Sequence, residues 1–155
     1  MSARPDIICI GSVLWDVIGR APRPMQRGHD VPGEITRSPG GVALNIAVML
    51  RRRRLAPALL SAVGLDAEGE ELVAACRAMG LVCDFLHRDP ALPTDRYMAV
   101  EGAGEVMAAI ADARSLEAAG AGILAPLGEG RLGSAAAPWR GPIALDGNLT
   151  SALLS

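Results

Sequence analysis

The segment Ser38-Pro39-Gly40-Gly41-Val42-Ala43-Leu44-Asn45-Ile46-Ala47 constrains this chain more than any other. Two glycines after a proline let the backbone turn tightly and approach a ligand, and the apolar run behind them reads as a helix that starts at the turn. From Val42 to Leu50 the only polar side chain is Asn45. A helix apolar on every face is expected to be buried on every face, so the Asn45 amide must find hydrogen-bond partners inside the protein or on a ligand. It stands one turn in from the glycines, near the free N–H groups and the positive end of the helix dipole. Bonding to neighbouring backbone is the alternative.

The other elements have to supply a core around that helix. Half of the 155 residues are hydrophobic but only 3% are aromatic, so the core is built from Ala, Val, Leu, Ile and Met, as where helices pack on a parallel sheet. An α/β domain spanning 1–155 follows, with a net charge of −2 that offers no footprint for nucleic acid. The run Arg51-Arg52-Arg53-Arg54 is better explained by the helix dipole, because no second basic patch or stacking aromatics accompany it. Asp6, Gly11 and Asp16 break up the first apolar run, so no signal peptide is expected, and no apolar stretch is long enough for a membrane span. The expected location is the cytoplasm. Cys9, Cys76 and Cys83 lack metal-ligand spacing and are expected as buried free thiols; no metal site is expected.

In chain order, Asp6 to Gly11 reads as a central strand ending at glycine, and the chain continues extended from Ser12 to Gly19. There Asp16 shares a face with Leu14 and Ile18, and is either at a solvent-exposed strand end or aimed into a pocket. Glu34 to Arg37 is a further extended piece in a Pro/Gly-rich region. Ala58 to Gly64 reads as a buried strand, Asp66 as the cap of a helix whose inner face is Leu72, Val73, Cys76 and Met79, and Val82 to Leu86 as another strand. Such β-loop-α units wind into a right-handed, doubly wound parallel sheet. His87 reads as a surface residue.

Two strands flanking Gly102-Ala103-Gly104 read as a β-hairpin. With the pieces at 12–19 and 34–37 the hairpin segment 95–110 is expected to form a small antiparallel lid sheet over a pocket. Residues 115 to 140 are expected to hold one short helix and loops. Pro142 to Leu149 reads as a strand ending at a polar corner, so Asp146 and Asn148 fall at a carboxyl end, where open α/β sheets bind ligands.

The order of Gly11, Asp16, Gly40-Gly41-x-x-x-Asn45, Gly64-x-Asp66-x-x-Gly69, a Thr94-bearing hairpin and Asp146-x-Asn148 resembles the ribokinase-like (PfkB) carbohydrate kinase family. Tyr97 to Glu101 followed by Ala109-Ile110-Ala111-Asp112 is similar to the pseudouridine kinases within it. The resemblance implies a kinase that uses ATP and Mg to phosphorylate a sugar or nucleoside. It implies that Asp16, Gly40, Gly41 and Asn45 bind the substrate hydroxyls, and that Asp146 and Asn148 lie near the ATP phosphates. In lid-clasped dimers of the family the lids of two subunits meet, so a homo-oligomer through the lid or through the edge of the final strand is expected.

The family pattern continues with an anion hole, a catalytic aspartate and an adenine pocket that have no counterpart here, so no catalytic residue is assigned in this chain. Gly102-Ala103-Gly104-Glu105 sits in a hairpin turn, not at a helix N-terminus, and is not that anion hole. The reading is the N-terminal, substrate-binding part of such a kinase. A non-enzymatic module that binds a sugar or nucleoside, or that self-associates, is the alternative. A dinucleotide-binding domain is excluded because Gly11-Ser12-Val13-Leu14-Trp15 is not a G-x-G-x-x-G turn.

Overall fold

A computed structural model describes residues 4–154; the outermost residues of the expected 1–155 unit lie outside the described ones. The chain runs β1 (Ile7–Ile10), β2 (Leu14–Ala21), β3 (Glu34–Gly40), α1 (Val42–Arg52), β4 (Pro57–Leu60) and α2 (Ala67–Ala78). It continues through β5 (Arg96–Gly102), β6 (Glu105–Asp112), α3 (Arg114–Ala119), a 3₁₀ turn (Gly120–Leu124), α4 (Ala125–Gly128), β7 (Ile143–Leu145) and α5 (Ser151–Leu154).

The β-branched run of β1 is buried on both faces because it lies between β4 and β7, with both pairings parallel. Cys9 and Leu59 turn to one side and join Leu44, Ala47, Leu72, Val73 and Cys76 of α1 and α2. Ile8, Ile10 and Leu60 turn to the other side, where Leu116, Ile123 and Leu149 cover them. Helical layers on both faces of a parallel sheet make the α/β architecture that the composition anticipates. Each fully buried Leu or Ile contributes about 1.5–3 kcal/mol relative to exposure.

The stretch from Val82 to Leu86 lies beside β4 as expected but is not a continuous strand. Val82 bridges to it opposite Ala58, and His87 bridges to Ala62 just past its end, because a turn in which the Leu86 N–H donates to the Cys83 carbonyl interrupts the pairing. A second correction concerns residues 115–140, where α3, the 3₁₀ turn and α4 together form a longer helical run than one short helix. Its apolar residues Leu116 and Ile123 are what the second core requires.

The second sheet has the order β3-β2-β5-β6. It is not wholly antiparallel: β2 and β5 pair in parallel, because they enter from the same end and β5 closes its own hairpin with β6. The hairpin turn uses Ala103 and Gly104, both at positive φ, which suits a two-residue turn matched to the strand twist. Trp15 fastens this sheet to α2. Its indole N–H donates to the Glu68 carbonyl at 3.0 Å, and the Arg37 guanidinium, ion-paired to Glu71, stacks over its ring at 4.1 Å.

Asp66 caps α2 as read, accepting from the Gly69 N–H at 2.7 Å, and it also accepts from the Thr94 N–H and hydroxyl. The glycine spacing has a packing cause, since a Cβ on Gly69 would stand 2.0 Å from the Gly64 carbonyl oxygen. Cys9, Cys76 and Cys83 are buried free thiols, and burial pushes Cys9 up to about 11. Among the described residues no helix is long and apolar enough to cross a membrane.

Candidate functional site

Asp16 pairs with Ser38 on β3 and with Tyr97 on β5, and Tyr97 pairs with Ala111 on β6. Cross-strand partners share a face, so Asp16, Tyr97 and Ala111 project to the same side. All three line a cavity of about 590 Å³, together with Asn45 of α1, Arg114 of α3 and Asn148 beyond β7. The cavity therefore joins the carboxyl end of the parallel sheet to one face of the four-stranded sheet.

The Asp16 carboxylate is half-buried, and no hydrogen bond from the described residues reaches it. Burial alone pushes its pKa up, as expected of a carboxylate whose acceptors are left open. Gly40 does not line the cavity, yet it makes room for this group: a Cβ there would stand 2.0 Å from Asp16 Oδ2. Gly41, at φ 100°, caps α1 and allows the chain to pass the Ser12 carbonyl, which a Cβ would meet at 2.4 Å.

The helix that carries Asn45 is not buried all round, contrary to the expectation from its apolar sequence. Val42, Asn45 and Met49 lie on an exposed stripe while Ala43, Leu44 and Ala47 face the core. The exposed stripe begins on the cavity, which Val42 and Asn45 both line. The Asn45 side chain makes no hydrogen bond among the described residues, so the alternative of bonding to neighbouring backbone does not hold.

Asp146 is fully buried and does not line the cavity. Its carboxylate accepts from the Ser12 hydroxyl at 2.6 Å, the Ser12 N–H at 3.0 Å and the Asn148 N–H at 2.8 Å. Burial pushes its pKa up, but these bonds outweigh burial and hold it below the usual carboxylate value. Ser12 passes the restraint on: its Oγ accepts from the Val42 N–H at 2.8 Å, and its carbonyl accepts from the Leu44 N–H at 3.3 Å. The N-terminus of α1, without a side-chain cap of its own, is thus fixed by Asp146 through Ser12.

Sequence reasoning missed Ser12, Arg114 and Glu117 as cavity residues, and it placed Tyr97 in the hairpin and in the subfamily resemblance without assigning it to the cavity. Arg114 and Glu117 lie one turn apart on a helix that begins just before the stretch 115–140, where only one short helix and loops were expected, and that spacing was the available signal. The described residues bring no three His, Cys, Asp or Glu side chains together as a metal cage.

Residues 4–123 match the model of the pfkB family carbohydrate kinases. The chain belongs to the pfkB carbohydrate kinase family. It is 33% identical over 130 residues to the pseudouridine kinase of Escherichia coli (strain K12), a match covering 83% of this chain and 42% of that protein. Among solved structures, a carbohydrate kinase from Agrobacterium tumefaciens superposes with a TM-score of 0.76 at 23% identity, covering 96% of this chain and 47% of the other. The fructokinase of Halothermothrix orenii gives a TM-score of 0.56 at 26% identity, covering 69% and 38%. The pfkB chain described here spans less than half the length of each of these relatives.

Proposed function

We propose that this chain is the substrate-binding part of an ATP-dependent sugar or nucleoside kinase, with Asp16 and Asn45 holding the hydroxyls of the substrate's sugar. The observation that carries the reading is a half-buried carboxylate and an amide, both without side-chain hydrogen-bond partners among the described residues, lining one cavity in a pfkB chain. A carboxylate accepts from hydroxyls and an amide both donates and accepts, so together they suit vicinal hydroxyls. Gly40 and Gly41 serve by admitting the Asp16 carboxylate and by letting the α1 N-terminus approach the sugar. Asp146 and Asn148 serve near the nucleotide phosphates, Asp146 by fixing the Ser12–α1 junction. ATP supplies the transferred phosphoryl group. The likeness to a pseudouridine kinase supports counting nucleosides among the substrates.

Phosphoryl transfer depends on positioning and charge stabilisation. Asp16 and Asn45 supply positioning. No three His, Cys, Asp or Glu side chains gather as a metal cage among the described residues; a magnesium ion would be held mainly by the nucleotide phosphates and water with one or two carboxylates, and no step is assigned to it in this chain. Charge stabilisation and deprotonation of the attacking hydroxyl are assigned to groups outside these 155 residues.

Calorimetric titration with ribose, fructose and pseudouridine tests the reading. Asp16→Ala and Asn45→Ala are each expected to lose about 1–3 kcal/mol of binding, the cost of removing one buried partner. Equal binding by wild type and both variants would sink the assignment. Substrate-dependent ATP turnover by the purified chain would overturn the placement of the base and anion hole elsewhere.

A further inference from the structure

A second cavity, of about 470 Å³, lies at the opposite end of the parallel sheet from Asp16 and Asn45. Its walls come from Arg4 and Pro5 before β1, from Phe85, and from the loop that leads from α4 towards β7. Because β1 and β7 run parallel, the segments preceding them share the amino end of the sheet, whereas Ser12 and Asn148 of the first cavity follow the same two strands. The strands therefore separate the two cavities. In a chain with two tryptophans and one phenylalanine, Trp139 and Phe85 stand together on this wall. Both pack on the second core and are only half-buried, each with a side on the cavity. The Arg131 guanidinium lies 5.2 Å from the centre of the Phe85 ring, and its Nη2 donates to the Asp84 carbonyl. Its turn is anchored on both sides, since the Gly130 N–H donates to the Gly133 carbonyl at 2.7 Å and the Leu132 N–H to the Pro126 carbonyl at 2.8 Å. Arg4 is exposed and has no side-chain partner among the described residues. No Asp or Glu is among the described residues lining the cavity, and the Asp84 carboxylate is paired with Arg77.

From two arginines and two aromatic rings around one cavity we propose a second binding site, for a nucleoside monophosphate. Trp139 offers its ring to the base. Phe85 and the Asp84 carbonyl fix the plane of Arg131, whose remaining N–H groups, with those of Arg4, take the phosphate oxygens. A free phosphate would leave the aromatic wall in water, and an uncharged nucleoside would leave two guanidiniums without a counter-charge; a nucleotide satisfies both. The volume falls in the range of small-molecule sites, about 300–1,000 Å³. Stacking accepts any base, because every base has a π-face. The inference is independent of the sugar reading at Asp16 and Asn45.

Calorimetric titration of the chain with adenosine 5′-monophosphate, adenosine and inorganic phosphate tests it. The monophosphate is expected to bind at least about tenfold tighter than either of the others, since only it uses both the rings and the arginines. Arg4→Ala and Arg131→Ala should each weaken it about tenfold or more, and together they should bring it down to the affinity of adenosine. Both residues are exposed, so the fold tolerates these substitutions. Asp16→Ala should leave the monophosphate affinity unchanged. No binding of the monophosphate, affinity equal to that of inorganic phosphate, or affinity unmoved in the double arginine variant overturns the inference. So does binding abolished by Asp16→Ala, which would place the nucleotide in the first cavity.

Discussion

At the scale of single residues, two aspartates in similar burial illustrate opposite uses of a carboxylate. Burial pushes Asp66 up, but the Thr94 hydroxyl and N–H, the Gly69 N–H and the Arg96 charge outweigh it and bring the group below its ordinary value of 3.8. Its stabilisation is therefore present above 3.8 and lost as the pH falls through the lower folded value. Asp16 is raised by burial with nothing to offset it. For a raised carboxyl the sign reverses: the folded state favours the protonated form, and stability is lost as the pH rises through the folded value. Asp16→Asn should therefore unfold at higher denaturant concentration than wild type at pH 7, the difference closing below pH 3.8, even as it weakens ligand binding. A variant no more stable than wild type at pH 7 would contradict this. Asp66→Ala should lose about 1–3 kcal/mol at pH 7, since it orphans three donors at once. Of the candidate residues named from sequence that line the cavity, Asp16 and Asn45 were legible because each is a polar group inside an apolar pattern. The Ser12–Asp146 bond was not, because it joins residues 134 apart and either side chain alone looks ordinary.

At the scale of elements, periodicity carried the strands and helices as long as neighbours did not intervene. The hairpin, α2 with its cap and the central strand were all legible from turn residues, the Asp66 signal and β-branched runs. The helix α1 was misjudged in burial because an apolar sequence does not say which face is left open onto a cavity. The helix α3 was expected only as an unplaced short helix within 115–140, because it is short and its N-terminus is organised from elsewhere. Buried Asp95, in the residue before β5, accepts from the Ser115 N–H at 3.0 Å and the Leu116 N–H at 2.9 Å, while its own carbonyl accepts from Trp15. One residue thus ties the hairpin, β2 and α3 together. Asp95→Ala is expected to cost about 1–3 kcal/mol for each buried donor it strands, and to raise amide exchange at Ser115 and Leu116 ahead of the rest of the chain. Uniform exchange across α3 and β1 would show that Asp95 does not hold α3.

At the scale of the whole molecule, two surfaces are more apolar than a solitary domain presents. One is the edge strand β7, where Ile143 is 46% and Leu145 54% exposed. The other is the face of the four-stranded sheet turned away from Asp16: Met98 pairs with Ile110, and Gly19 pairs with both Ile35 and Val100. Ile35 is 78% and Ile110 64% exposed there. Stable association buries about 800 Å² on each partner. A three-residue strand cannot offer that area, whereas four strands with apolar side chains in adjacent rows can. Light scattering at micromolar concentration should therefore report a species larger than the 16.0 kDa chain. Ile35→Lys combined with Ile110→Lys should shift it to monomer, because burying two unpaired cations in the contact costs more than the apolar burial they replace. Leu145→Lys should have the smaller effect. A monodisperse 16.0 kDa monomer for the wild type would overturn this, and monomerisation by Leu145→Lys alone would move the contact to the β7 edge.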